Sequence, residues 1–269
     1  MEWTPEAKAA LQKVPFFVRK RVRVRVEEEA TDGGKERVTL LDVKTTQARY
    51  LSGTHADIKG YQIETCFGPS GCPNRAVVSD QLLERVEAVI KTADLLSFLK
   101  SRVRGDLKFH HEFRVGLADC PNACSQPQIR DVGIIGAAVP ETTTEACSQC
   151  ERCVASCPEK AITLAAETRP PGIDTGRCLN CGQCIRVCPT GTIAEAWSGF
   201  RVQLGGRLGR HPRLARELPG IFSEDQVIEI LQDCLKFFKE RSLHGERFSQ
   251  LLQERDFEEF SRQFCGADV

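Results

Sequence analysis

Apolar residues recur at helical spacing near both ends of the chain. Thr4 and Pro5 form a cap and first-turn pair, and Ala7, Ala10, Leu11 and Val14 follow on one face. Pro15 interrupts that helix, and a second begins near Phe16, carries Val18, Val22 and Val26, and stops before Asp32-Gly33-Gly34. By period alone, the alternation from Arg21 to Val26 also suits a strand. The proline on one side and the turn signal on the other favour a helix. A third short helix is expected from a Thr39 cap through Leu40, Leu41 and Val43 to about Tyr50. An amphipathic stretch from Asp80 places Leu82, Leu83, Val86, Val89 and Ile90 on one face, and Leu95, Leu96, Phe98 and Leu99 continue it. A strand from Lys108 to Ala118 then leads into Cys120. Ser223 with Gln226 predicts a capping box for a helix lined by Val227, Ile230, Leu231, Cys234, Leu235 and Phe238. Cys234 reads as a packed thiol there. Gly245 ends the pattern, and Phe248, Leu251, Leu252, Phe257, Phe260 and Phe264 form a last apolar stripe; Cys265, beyond it, has no assigned role.

Composition narrows the class. The chain has 269 residues, enough for one or two domains, with 37 basic and 37 acidic side chains. That balance implies no nucleic-acid partner. No run approaches the roughly 20 apolar residues of a membrane span, and the first 30 residues hold Glu2, Glu6 and a cationic helix rather than an apolar signal core. A soluble, cytoplasmic protein is expected. In such a compartment its 14 cysteines are metal ligands rather than cross-links.

Eight of those cysteines spell one motif twice. Cys147, Cys150, Cys153 and Cys157 with Pro158, then Cys178, Cys181, Cys184 and Cys188 with Pro189, each read CxxCxxCxxxCP. Three closely spaced thiolates wrap one [4Fe-4S] cube and the fourth ligates the other. The expected sets are therefore Cys147, Cys150, Cys153 and Cys188, and Cys178, Cys181, Cys184 and Cys157. Disulfides would need an oxidising compartment, and zinc sites rarely double a four-cysteine run. The stretch is a bacterial two-cluster ferredoxin in pattern. A second group, Cys66 and Cys72 in a glycine- and proline-rich loop with Pro69 and Ser70, and Cys120 and Cys124, delivers four thiolates from two loops. These suit a third cube, because their spacings match the common zinc knuckles poorly.

Around these residues the sequence resembles the siroheme and [4Fe-4S] half of the sulfite and nitrite reductases, of the dissimilatory or anaerobic type. The resemblance rests on Cys66 and Cys72, on Asp119-Cys120-Pro121-Asn122-Ala123-Cys124-Ser125 and Asp131-Val132-Gly133-Ile134-Ile135-Gly136, and on Gly199-Phe200-Arg201-Val202 through Pro212-Arg213-Leu214-Ala215. It implies that Cys124 bridges cube and siroheme. Where members of that family often carry a Lys-x-Lys pair, this chain has Glu112-Phe113-Arg114, with Lys108, His110 and His111 just before; Arg114 is expected to bind the anion and His110 or His111 to supply protons, whereas Glu112 would repel sulfite. The arginines at 201, 207, 210 and 213 lie near Gly205-Gly206 and suit the carboxylates of siroheme; taken alone they are an ordinary basic loop. At the amino end, Trp3-Thr4-Pro5-Glu6-Ala7 and Val14-Pro15-Phe16-Phe17-Val18-Arg19 resemble the small terminal domain of the B subunit of light-independent protochlorophyllide reductase.

The expected architecture is α+β. A helical domain spans 1–54, a reductase-like mixed-sheet domain spans 55–140 and 197–269, and a two-cluster ferredoxin is inserted at 141–196. The expected function is an oxidoreductase with three [4Fe-4S] clusters and siroheme that passes electrons from the inserted cubes to the Cys66, Cys72, Cys120 and Cys124 site and reduces sulfite or nitrite. The alternative is an electron-transfer subunit of a larger redox complex with no substrate chemistry. Either implies a partner: an electron-donor protein, further subunits, or copies of itself.

Overall fold

Near the amino terminus two short strands, β1 (Glu2–Trp3) and β2 (Arg37–Val38), pair in parallel, Trp3 beside Val38. They belong to a unit that ends at Ile58 in the computed structural model. The structure describes all residues except 13, 15, 33, 36, 48–57, 69–70, 165–169 and 266–269, so Pro15, Gly33, Tyr50, Pro69 and Ser70 lie outside the described residues. Helices Pro5–Gln12 and Phe16–Asp32 enclose a small core of Trp3, Ala7, Leu11, Val26, Ala30, Val38 and Val43. The arginine-rich stretch is thus helical. Its charge is balanced locally by Arg23 on Glu27 at 3.1 Å and Arg25 on Glu29 at 3.6 Å, both one turn apart. The Trp3 indole also donates to Glu27 at 2.7 Å, which ties the strand to the helix. Residues 40–47 are helical, and Asp42 accepts from both the backbone N–H and hydroxyl of Thr39 at the cap.

The second unit, from Lys59, is built on a five-stranded sheet. Its strands are β3 (Tyr61–Thr65), β4 (Phe113–Ala118), β5 (Val132–Thr142), β8 (Ile193–Leu204) and β9 (Arg216–Glu217), in that order. The first three run parallel and the last two pairings are antiparallel, so the sheet is mixed. One face carries Phe113, Val115, Leu117, Val132, Ile134, Phe200, Val202 and Leu204 into the main core. Leu82, Val86 and Ile90 of helix Asp80–Thr92 cover it, with Leu95 and Leu99 of helix Leu95–Arg102 and the stripe Val227 to Phe238 of helix Glu224–Arg241. The capping box forms, with the Gln226 N–H donating to the Ser223 hydroxyl at 3.3 Å and the Ser223 N–H to the Gln226 side chain at 2.9 Å. Cys234 is fully buried in that stripe. Helices Phe248–Leu251 and Glu254–Gln263 follow, with Phe248, Leu252 and Phe260 buried.

Two local expectations shift. The single amphipathic stretch is broken at Asp94, which takes a left-handed φ of 44° and accepts from the Ser97 N–H as cap of the next helix. The strand begins at Phe113 rather than Lys108, because Phe109–His111 form a 3-10 turn closed by the Lys108 N–H on His111 Nδ1 at 3.0 Å.

On the opposite face, the loop after Cys124 lies flat on the sheet. A Cβ on Gly133 would fall 2.6 Å from the Pro127 carbonyl, and one on Gly116 would meet Arg130 at 2.7 Å, so only glycine admits the loop at both positions. β5 and β8 form a long hairpin whose register shifts beside Pro140, a residue with no N–H to offer the ladder. The hairpin is closed by residues 143–192, which carry the doubled cysteine motif. The backbone repeats there as the sequence does. Gln149 and Asn180, Glu151 and Gly182, and Lys160 and Gly191 share positive φ, each pair at the offset that separates Cys147 from Cys178. Short helices Arg152–Ser156 and Gln183–Val187 follow at the same offset, and the small strands β6 (Ile162–Thr163) and β7 (Gly172–Ile173) pair between them.

Candidate iron-sulfur centres

The parallel strands β3 and β4 both run toward cysteine loops, Cys66 just past one carboxyl end and Cys120 just past the other. The Cys66 N–H donates to Leu117 O at 3.1 Å and holds the loops side by side. Asp119 braces them. Its carboxylate fills the space left by the missing side chain of Gly68 and accepts from the Ser79 hydroxyl, while its carbonyl receives Ala76 and Val77 N–H. Burial pushes its carboxyl above the ordinary range.

Cys66, Cys72, Cys120 and Cys124 line one cavity of about 400 Å³. Cys66 Sγ accepts the N–H groups of Gly68 and Asp119, each at 3.3 Å, and Cys124 Sγ accepts Asn122 Nδ2 at 3.0 Å. Burial first, then the nearby thiols of Cys66, Cys124 and Cys72, push the Cys120 thiol up. Four clustered sulfurs cannot all carry negative charge unaided and so hold their protons until a cation replaces them; iron, whose positive charge removes the repulsion, is such a cation. Among the described residues no three His, Cys, Asp or Glu side chains converge on a single ion. A cube does not ask for that, since each thiolate meets its own iron and the sulfurs stand apart. The donor set fits a [4Fe-4S] cluster.

The doubled motif sorts its sulfurs by the same effects. Cys153 is raised by burial and then by Cys147 and Cys150; Cys178 is raised by burial and then by Cys181 and Cys157. Cys184 is pushed up to about 12 by burial and by Cys178 and Cys181. Cys157 lines one small cavity with Cys178, Cys181 and Cys184. Matching N–H donors reach the first sulfur of each copy, Gln149 on Cys147 at 3.5 Å and Asn180 on Cys178 at 3.4 Å, whereas the fourth sulfurs take donors one position out of step, Ala161 on Cys157 and Ile193 on Cys188, both at 3.4 Å. Cys188 packs against the small core that contains Cys153.

The second copy also lies against the other cysteines. Pro158, Leu179, Cys181 and Gln183 wall the same 400 Å³ cavity, Ala138 N–H donates to Asn180 O at 2.7 Å, and Arg186 donates to the Arg75 carbonyl at 2.6 Å. Sequence reasoning did not find this docking, nor Asn122, Asp119, Asn74 and Arg75. The only local sign was Asn122 inside the cysteine loop; the other contacts join residues far apart in the chain.

The expected substrate and siroheme residues are placed differently. His110 and His111 precede β4, while Cys120 follows it; six extended residues put roughly 20 Å between them. They line a separate open cleft with Val103, Arg104, Asp106, Lys108 and His244. Arg114, at the start of the strand, donates to the Phe109 carbonyl at 3.1 Å and is half-buried. Glu112 does not face an anion site: it is 2% exposed, and its carboxylate accepts Lys59 N–H at 2.9 Å, Gly60 N–H at 3.2 Å and Gln62 Nε2 at 2.6 Å. The carboxylate expected to repel sulfite is instead engaged by three donors inside the fold.

The arginines are mostly engaged within the fold. Arg201 forks onto Glu217 at 2.7 and 2.8 Å. Arg207 donates to His211 and Ser249 carbonyls, and Arg213 to those of Gly205 and Ser249. Arg210 alone of the four is exposed with no hydrogen bond or ion pair among the described residues. Arg201 thus ties β8 to β9, and Arg207 and Arg213 tie their turn to the helix that carries Ser249.

A mixed sheet with all-thiolate loops at its carboxyl ends defines an iron-sulfur redox protein. Residues 63–268 match the nitrite and sulphite reductase 4Fe-4S domain, and the chain belongs to that family. Residues 3–46 match the proto-chlorophyllide reductase 57 kD subunit. The chain is 36% identical over 125 residues to coenzyme F420-dependent sulfite reductase of Methanocaldococcus jannaschii, covering 46% of this chain and 20% of that protein. It is 26% identical over 206 residues to the C subunit of anaerobic sulfite reductase of Salmonella typhimurium, covering 74% and 54%. Over 40 residues it is 52% identical to the B subunit of light-independent protochlorophyllide reductase of Chlorobium luteolum, covering 15% and 8%. The chain therefore spans about half or less of each curated relative it matches. The crystal structure of dissimilatory sulfite reductase I shares the fold, with a TM-score of 0.51 at 15% identity over 84% of this chain and 57% of that one. No helix among the described residues is long and apolar enough to cross a membrane.

Proposed function

We propose that this chain is the siroheme- and cluster-bearing unit of a sulfite- or nitrite-reducing oxidoreductase, supplied with low-potential electrons through an inserted two-cluster ferredoxin. The observation that carries this reading is the shared cavity, in which Cys66, Cys72, Cys120 and Cys124 face Cys181. In this reading residues 1–54 are a helical domain, 55–140 with 197–269 the reductase-like domain, and 141–196 the ferredoxin. Cys147, Cys150, Cys153 and Cys188 hold one cube; Cys157, Cys178, Cys181 and Cys184 hold a second; Cys66, Cys72, Cys120 and Cys124 hold the third, Cys124 also serving siroheme. When bound, the cubes supply one-electron transfer and siroheme supplies the iron at which the anion is reduced.

The chain's own residues hold and insulate. Gly68 and Asp119 N–H groups and the Asn122 amide stabilise negative charge on sulfur, which raises the reduction potential of whatever those sulfurs bind. Pro158 and Leu179 line the cavity between the two cysteine sets and give its wall an apolar surface. The family's reducing chemistry and the thiolate count favour a reducing, cytoplasmic compartment, and the share of its relatives that it spans calls for partner chains or domains.

A second reading, an electron-transfer subunit without siroheme, is favoured by one observation: Arg201, Arg207 and Arg213 already donate within the fold. Absorption of anaerobically purified protein from siroheme-replete cells separates the two. The first expects strong visible bands above the broad iron-sulfur shoulder; a shoulder alone rejects siroheme and leaves the carrier.

A further inference from the structure

The two copies of the cysteine motif have equivalent faces, and only one of them is covered. In the second copy, the helix Gln183–Val187 is docked: Gln183 meets Asn74 at 3.5 Å, Arg186 meets the Arg75 carbonyl at 2.6 Å, and Ile185 lines a groove with Arg75. By the offset between the copies, the corresponding residues of the first are Arg152, Val154 and Ala155. All three are exposed, Val154 by 37%, and so is Cys150 beside them. The Arg152 guanidinium has no hydrogen bond or ion pair among the described residues. An exposed aliphatic side chain and an exposed ligand cysteine, on a face that its duplicate uses for docking, mark an unpartnered interface.

Charge specifies the partner. Glu151 adjoins Cys150, Glu145 lies two residues before Cys147 and Glu141 lies farther back on β5; all three are exposed and none is in an ion pair among the described residues, while Arg152 is the one cation between Glu141 and Cys157. The thiolate-held cube adds further negative charge. We propose that this face, centred on Cys150 and Val154, is where a one-electron carrier protein with a cationic surface docks and delivers electrons. The proposal rests on the two-cube reading above. In each encounter the carrier loses one electron and the cube of the first copy gains it, with no bond made or broken and no proton moved. The second copy, docked on the Asn74–Arg75 loop, is the outgoing side.

Electron transfer across one face runs in both directions, so the face is testable with a cationic acceptor. Dithionite-reduced, desalted holoprotein is mixed in stopped flow with cytochrome c, a cationic one-electron protein, and separately with ferricyanide, a small anion. The Glu145→Lys/Glu151→Lys variant should reduce cytochrome c about tenfold or more slowly at low ionic strength, with weakened salt dependence, and should react faster with ferricyanide. Electron paramagnetic resonance should show the same reduced-cube signals as the parent. Glu141→Lys, farther from any ligand cysteine, should shift both rates in the same directions by a smaller factor, and serves if the double variant loses iron. Unchanged cytochrome c rates with intact cube signals overturn the docking face and leave the two-cube reading standing. Parent protein lacking reduced-cube signals from the doubled motif overturns both.

Discussion

The guanidinium of Arg186 donates to the backbone carbonyl of Arg75 at 2.6 Å, across 111 residues of sequence. This bond fastens the second cysteine copy to the loop that carries Cys72. Charge-assisted hydrogen bonds contribute about 1.5–3 kcal/mol when shielded and less when exposed, as this one is. Arg186→Ala should lower stability to urea by about 1 kcal/mol. It should also weaken the magnetic interaction between reduced clusters, read by electron paramagnetic resonance, with iron content retained. An unchanged spectrum would mean that the Ala138–Asn180 pairing alone sets the spacing.

Glu112 is a structural tie. Glu112→Ala takes the buried acceptor from three donors and leaves the backbone N–H groups of Lys59 and Gly60 in need of partners, a loss of about 3–5 kcal/mol. Denaturant unfolding measures it. Sulfite or nitrite affinity should not rise in Glu112→Gln, as it would if this carboxylate faced the anion.

Two cysteines should part company on substitution. Cys124→Ser removes a sulfur from the 400 Å³ cavity and should lower iron content and change the visible spectrum. Cys234→Ser should leave iron untouched and cost about 1–3 kcal/mol, because its fully buried site offers a hydroxyl nothing in place of water.

His110 and His111 are both held below the ordinary imidazole range. Burial is the first cause for each; Lys108, Arg247 and Arg114 add to it at His110, and His110 and Lys108 at His111. In the unfolded chain both take up protons near 6.5, above their folded values, so the unfolded state binds more protons below that pH. Their contribution to stability is full above about 6.5 and declines as the pH falls through the window beneath it. Imidazole proton resonances should titrate below 6.5, and Lys108→Gln should move both upward. Urea midpoints should be lower at pH 5.5 than at pH 7.5, and less so in that variant.

Features with short-range causes were legible before any fold was known. The Ser223–Gln226 box, the buried stripe around Cys234, the helix at Phe16–Asp32 and the doubled cysteine spacing each depend on residues within a few positions of one another. The strand start at Lys108 was misplaced by a short turn that closes on a histidine ring nitrogen, a contact no hydrophobic period records.

Charged side chains mark the other limit. The residues of this chain determined that arginines would gather near Gly205, and that Glu112 would precede a strand. Only the tertiary structure decided what each of them meets. Arg201 is engaged because β8 and β9 pair and bring Glu217 beside it, and the Glu112 carboxylate is engaged because β3 and β4 run parallel and bring Gly60 to it. A cysteine spacing carries its chemistry within a single loop. A long charged side chain takes its role from whichever strand the sheet places beside it, and that neighbour is set by pairing between distant segments.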